Sequence, residues 1–434
     1  MSPILKFASL RAAAILRHTP VSRFAKYVPS ASCAYIAGCS TGTNRIDAFL
    51  GVRQLYCGYS STGGICHDRL PNTHSEDVVP AYSEASPINH TMGNSLLRYL
   101  SLKIHPEVHS CDWERLVVIG KHDRSSGSEI SHKEKGGKPY NWMRPTARLA
   151  GTDLLIQAFP GPDHIQHYAA LLSTYLKITG ASEAAKRVFY APSSPSDTVR
   201  ALVEDTNLLK MPRVDTVVTG LVHRLEPLTG PPTAYTGDAN DTFSWTVRKN
   251  PHSGHTIAFL GCRFSFWGSI AGDLVRVLAN RLGVQRVVYF GKLGVTDPAI
   301  APNQCLASGN YSEVCGKDVY WDNILSHSLS SYAGPARIIM GRHETVPSVL
   351  YETKDWLAGA KARGNLFVDP ELGCMATAAN ESGIRFGYLH IISDNVAEKY
   401  DEDLSNERDT SVLTGRARLY HEVNNILGGY LMSL

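Results

Sequence analysis

Glu371 and Asp394 are the residues of this 434-residue chain whose type and spacing most invite chemistry. They stand in the run VDPELGCMATAANESGIRFGYLHIISDN at 368–395. Glu371 opens a short helix of small residues, and Asp394 follows a β-branched and aromatic strand at 386–392. In open α/β sheets, ligands bind beyond the carboxyl ends of the strands. Two carboxylates delivered there suggest chemistry more than packing. Local structure offers a competing account. Asp369 is a good N-cap, Pro370 suits a first helical position, Glu371 favours the positive helix end, and Gly383 is a natural stop. A plain polar turn at Ser393-Asp394-Asn395 would likewise end the strand.

The elements around this run have strand–helix–strand order. Strands are expected at 216–219, 256–261, 286–290 and 337–340, with helices at 270–282 and 351–363 and a Pro/Thr/Gly-rich loop at 226–241. This order suits a doubly wound or related sheet. The amino-terminal half reads as a second α/β domain. It has strands at 115–120, 153–159 and 187–191, a helix at 162–178 completing a βαβ unit, and a long polar loop at 121–149. We place the boundary between a domain at 1–211, of unassigned role, and one at 212–434. Asp163, His164 and His167 fall on the first turns of the 162–178 helix. The histidines, three apart, read either as a metal pair or as a partly exposed helix start.

Composition narrows the partners. The chain is 43% hydrophobic and 19% charged, as ordinary soluble proteins are. A net charge of +3 is too small to argue for nucleic acid. No apolar run approaches the roughly 18 residues of a spanning helix, so no membrane partner is expected. Nine scattered cysteines fit reduced intracellular thiols better than a disulfide framework. Cys57, Cys66, His67 and His74 invite a zinc site, but no CxxC pair supports one, and no metal is expected. The first 46 residues hold no acid but six Lys or Arg: Lys6, Arg11, Arg17, Arg23, Lys26 and Arg45. They read either as an organellar transit peptide or as a basic surface helix at 4–17 on a cytoplasmic protein.

The spacing in 368–395 resembles the purine nucleoside phosphorylase family (nucleoside phosphorylase-I type). That family has an acid-Met-Glu run, a small-residue helix ending in Gly, and a strand ending in Ser-Asp. Here these are Asp369-Pro370-Glu371, Gly383 and Ser393-Asp394. The family's Met is Pro370, a departure at a position that normally packs on the ribose. Other segments follow in family order. The run 283–294, GVQRVVYFGKLG, resembles its strand and glycine turn; Ile300-Ala301-Pro302-Asn303-Gln304 resembles its I-x-P-G-D run; Ser348-Val349-Leu350-Tyr351 resembles the segment lining the base pocket; and 217–224, VVTGLVHR, resembles the first strand and its Gly-x-x-x-Arg phosphate loop. The resemblance covers 212–434. It implies a phosphorylase-like mixed sheet flanked by helices in the carboxy-terminal half.

It also implies a chemistry. Breaking a purine N-glycosidic bond builds positive charge on the ribose and negative charge on the departing base. Asp394 would be the acid at the base, oriented by Ser393. Glu371 would accept hydrogen bonds from ribose hydroxyls. Leu350 and Tyr351 would supply a flat apolar surface for the base. Gly220, Arg224, Gly291 and Lys292 would bind phosphate, a possible co-substrate, with no other cofactor. Lys292 and Tyr289 depart from the family's Ser/Thr and from the Arg of its hexameric members, and Arg263 is another candidate cation. Three functions remain open: phosphorolysis of a nucleoside; hydrolysis, including of nucleoside monophosphates; and a catalytically degenerate binding or scaffold module. A small-molecule nucleoside or nucleotide and a second copy of the chain are the expected partners.

Overall fold

A computed structural model describes residues 78–81, 85–110, 112–121, 129–130, 139–231, 234–238, 241–406 and 409–434. The basic amino terminus and the Cys57, Cys66, His67 and His74 group lie outside the described residues. The fold is mixed α/β, with sheets flanked by helices. Among the described residues no helix is long and apolar enough to cross a membrane.

Two sheets share the unit. The smaller has six strands drawn from 79–190. Its centre is parallel: Arg115–Ile119 pairs with Asp153–Gln157 on one side and Val188–Tyr190 on the other. The helix Pro162–Ile178 makes the crossover between those two outer strands, as expected. The polar stretch 121–149 is not all loop. Its end enters the strand Thr146–Ala150, which pairs antiparallel with Asp153–Gln157. Polar and charged residues masked that strand because its Arg148 to Ala150 end is exposed and needs no apolar alternation.

The larger sheet has eleven strands drawn from 216–395. Its spine is Arg286–Val295, parallel to Arg385–Asn395 along its whole length. On the other side the spine changes partner. Residues 286–290 run parallel to Thr216–Gly220, whereas Gly294 and Val295 pair antiparallel with Val368 and Phe367. The sheet therefore forks beyond Phe290. Gly220 leaves at φ +102, and a Cβ there would lie 2.1 Å from the Phe290 carbonyl oxygen, so only glycine makes this exit. One arm of the fork carries the Gly220 loop, and the other carries Asp369 to Glu371.

Packing ties the sheets together. The largest apolar cluster joins Phe159, Ala201 and Leu202 to Leu274, Val287, Phe367 and Met375. Val349 and Leu350 pack with Leu96, Leu116 and Ile165 of the amino-terminal half. Local devices agree with the sequence at several ends. The helix Pro195–Glu204 opens on a capping box between Ser194 and Asp197. The helix Ser269–Leu282 stops at Gly283 in the left-handed region.

Candidate active site

A cleft of about 340 Å³ opens at the fork of the larger sheet. Asp394 reaches it through a backbone irregularity. The ladder between the two longest strands pairs Leu293 with Ile392 and then Gly294 with Asp394, so Ser393 is the extra residue of a bulge. A regular strand points consecutive side chains to opposite faces; a bulge re-aims them. Ser393 and Asp394 consequently both line the cleft. The expected turn at 393–395 is instead the last stretch of the strand Arg385–Asn395. Asn395 ties the strand end to the loop after the spine strand, donating to the carbonyls of Asp297 and Ile300. The Ser393 hydroxyl donates to Asp394 Oδ1 at 2.7 Å. Gly294 makes room: a Cβ there would stand 3.0 Å from Asp394 Oδ2.

Glu371 arrives from the other arm. The helix begins at Leu372, with Glu371 at its N-cap position, two residues later than Asp369 and Pro370 alone suggest. Asp369 closes the strand Phe367–Asp369, and its Oδ1 accepts the backbone N–H groups of Glu371 and Leu372. Burial works against a charge on Asp369. His343, with Nε2 3.2 Å from Oδ1, and His390, with Nε2 3.6 Å from Oδ2, outweigh it and hold the carboxyl below its usual range. A buried anion thus fixes the turn that presents Glu371. Tyr289 lines the cleft nearby. Burial first, then the charges of Glu371 and Asp369, push its phenol well up, so it stays neutral.

Of the expected phosphate ligands, Gly220 and Lys292 line the cleft. Arg224 and Gly291 do not. Arg224 ends the short 3₁₀ turn Val222–Arg224, and its guanidinium lies over the Tyr420 ring at 5.1 Å. Gly291 is inside the spine strand, its N–H donating to His390 Nδ1. Arg263 is bound by the carbonyls of Asp238 and Asp241 and lines a separate cavity.

The expected base platform is also displaced. Leu350 is 2% exposed inside the amino-terminal core, and Tyr351 packs against Val346, Val368 and Val396. They stand in the 3₁₀ turn Val349–Tyr351, before the helix Lys354–Ala362 rather than inside it. Their flanking residues, Val349 and Glu352, face the cleft instead, and Phe266, Trp267 and Tyr289 supply its aromatic surface.

The amino-terminal half contributes the far wall through Arg98, Lys103, Arg144 and His167. His164 and His167 are not at an exposed helix start; they are 4% and 3% exposed. The Ser269–Leu282 helix covers them: a Cβ on Gly161, beside them, would meet Ile270 at 2.4 Å. His164 Nδ1 bonds the Phe159 carbonyl, and His167 Nδ1 bonds the Ser348 hydroxyl at 2.7 Å. The His167 ring stacks on Trp267 at 4.2 Å. Burial keeps both imidazoles neutral, with His164 pulled down to about 4. Among the described residues no His/Cys/Asp/Glu group is arranged to hold a metal.

Sequence reasoning missed Glu352, Trp267 and the cationic wall. Glu352 follows the base-pocket segment directly, and that adjacency is the one signal that marks it. The others come from segments to which the resemblance assigned no role, and only the packing of the two sheets brings them to the cleft.

No protein-family model matches the chain. The oxidoreductase cns1 of Cordyceps militaris is 24% identical over 334 residues, covering 69% of this chain and 42% of that protein. The chain thus spans less than half the length of this curated relative. Solved structures match about half of the chain. The 5'-methylthioadenosine/S-adenosylhomocysteine nucleosidase of Campylobacter jejuni is 14% identical, with a TM-score of 0.39, over 51% of this chain and 100% of its own. The uridine phosphorylase of Vibrio fischeri is 15% identical, with a TM-score of 0.41, over 52% and 94%. The futalosine hydrolase of Helicobacter pylori, as a mutant, is 11% identical, with a TM-score of 0.40, over 52% and 100%.

Proposed function

We propose that the cleft cleaves the N-glycosidic bond of a purine nucleoside or a related nucleotide. One observation carries the reading: Asp394 and Glu371 enter one cleft from two independent elements, each held by a dedicated partner. Glu371 accepts from ribose hydroxyls and stabilises the positive charge that grows on the sugar. Asp394 meets the base and, with the Glu352 carboxyl beside it, serves the proton that the base needs as it leaves. Trp267, Phe266 and Tyr289 take the role of flat apolar surface that Leu350 and Tyr351 do not fill. When the C–N bond breaks, its electron pair leaves with the base, and the ribosyl cation is captured by phosphate or by water.

Lys292 beside Gly220 supports phosphate as the acceptor. A second reading, hydrolysis, is favoured by Arg224, which stacks on Tyr420 rather than reaching the cleft. In that case the cations of the far wall suit a phosphate carried by the substrate itself.

The experiment is release of free base from a panel of purine nucleosides and their monophosphates, with and without inorganic phosphate. Phosphate-dependent release identifies a phosphorylase, and phosphate-independent release identifies a nucleosidase. Tight binding with no turnover by pure protein would overturn the enzymatic reading in favour of a binding module. Undiminished release by Asp394→Asn would overturn the assigned mechanism.

A further inference from the structure

Glu352 is 3% exposed, yet it lines the cleft, and its Oε2 is buried without a hydrogen-bond partner among the described residues. A buried carboxyl oxygen left unmatched is costly, so a group held this way points to a ligand. The backbone is tightly placed. Glu352 ends the turn Val349–Tyr351, with its N–H on the Val349 carbonyl, and its own carbonyl accepts from Thr91 at 2.9 Å. His90 Nε2 bonds the Val349 carbonyl at 2.9 Å, and His90 bridges to Thr353. The amino-terminal segment therefore clamps both ends of the turn that carries this carboxyl.

Asp394 is the charged group whose field acts on Glu352. The two carboxyls, with Leu404, line both the main cleft and a side cavity of about 30 Å³. Glu398, Lys399, Tyr400 and Asp403 face the pair from that side, and neutral His90 holds the Val349 carbonyl of the turn. Two carboxyls sharing a desolvated wall cannot both ionise freely; one keeps a proton. The hydroxyl of Ser393 donates to Asp394 Oδ1 and already satisfies that oxygen. Burial, then the charge of Asp394, pushes the Glu352 carboxyl well up. The proton belongs with Glu352.

We propose that Glu352 is a specificity-determining residue that donates a hydrogen bond to the base, and that with the Asp394 carboxylate it reads a ring edge carrying an acceptor beside a donor. The N7 and 6-amino groups of a 6-aminopurine present that edge, whereas a 6-oxopurine presents two acceptors. This inference rests on the purine-cleaving reading and narrows its substrate to the 6-amino class. The sign of the pH dependence follows. Donation requires the protonated carboxyl, so base binding is strong at neutral pH and weakens as pH rises through the raised pKa of Glu352.

The test is calorimetric binding of free adenine and hypoxanthine from pH 6 to 9 to the full chain, Glu352→Gln and Glu352→Ala, with Tm measured for each. Nucleoside turnover is assayed in parallel. The wild-type protein is expected to prefer adenine by about tenfold or more and to lose affinity at alkaline pH. Glu352→Ala should bind adenine about tenfold or more weakly. Glu352→Gln, which keeps a donor of similar size, should bind several-fold more weakly but hold that affinity at pH 9. If Glu352→Ala unfolds, Glu352→Gln alone decides. Equal binding of the two bases, an alkaline loss that survives in Glu352→Gln, or no base binding at all would overturn the proposal. Selective base binding with no turnover of any nucleoside would sink the catalytic reading and leave this one standing.

Discussion

The carboxylate corner of the cleft and its proposed phosphate corner are built in opposite ways. At the first, chain segments converge: the bulge at Ser393 turns Asp394 inward, and the Asp369 cap turns Glu371 inward. At the second, the chain diverges: Gly220 reaches the cleft, but Arg224, four residues on, is drawn onto Tyr420 of the helix Thr410–Met432. Its carbonyl is fixed there by Asn424. The difference shows that motif spacing orients a side chain only where the backbone beyond it is locked into the sheet. In a loop, the orientation goes to whichever element offers a partner.

Asp394→Asn should produce the largest effect and would break the comparison if it did not. A loss of about 10²-fold or more in kcat/KM is expected for removing a group that serves a proton in the transition state. Next is the pH dependence of stability. Burial pulls His90 and His164 down to about 4 from 6.5. Between those values the unfolded chain binds protons that the folded one refuses. Stability is therefore full above about pH 6.5 and is lost progressively as pH falls toward 4, by on the order of 3 kcal/mol per histidine at most. Urea midpoints across that range would measure it, and a flat profile would show that the clamp is not dry.

Glu371→Gln should lower kcat/KM about ten- to hundredfold, with the loss in kcat if the carboxylate senses transition-state charge and in KM if it only positions the sugar. Lys292→Ala sharpens the other corner. About a tenfold rise in the KM for phosphate marks a phosphorylase, and an unchanged nucleoside reaction without phosphate marks a nucleosidase. Arg224→Ala should do least. Kinetics should stay within about twofold, and stability should fall by about 1 kcal/mol or less as the ring contact is lost. A large kinetic loss would mean that Arg224 swings into the cleft during the reaction.

Much of the fold was legible because apolar periodicity survives in it. The helix Pro162–Ile178 and the strand Arg337–Met340 match their expected limits, and the spine and its parallel neighbour differ only in length. The shortfall has one cause. Phe290 and Ile392 end the apolar runs, but the ladder continues through Gly291 to Val295 and Ser393 to Asn395, where backbone pairing needs no apolar side chains. The exposed strand Thr146–Ala150 escaped for the same reason. At the site, Glu371, Asp394, Ser393, Gly220 and Lys292 were nameable in advance because each lies within a few residues of a strand or helix end. Leu350 and Tyr351 were misplaced because an apolar run shows that a surface is buried, not against which sheet.

The sequence by itself determined the mixed α/β class, the order of elements in the carboxy-terminal half, and two carboxylates at element ends. Those properties are local: periodicity, caps and glycine stops act within a few residues. The tertiary structure alone decided that Ser393 and Asp394 share a face, that Arg224 turns away, and that Glu352 joins the cleft. It also made the amino-terminal half part of the site, through His90 on the Val349 turn and His167 on Ser348. Those contacts span 259 and 181 residues. No local pattern encodes them, because they form only when the two sheets pack against a common core.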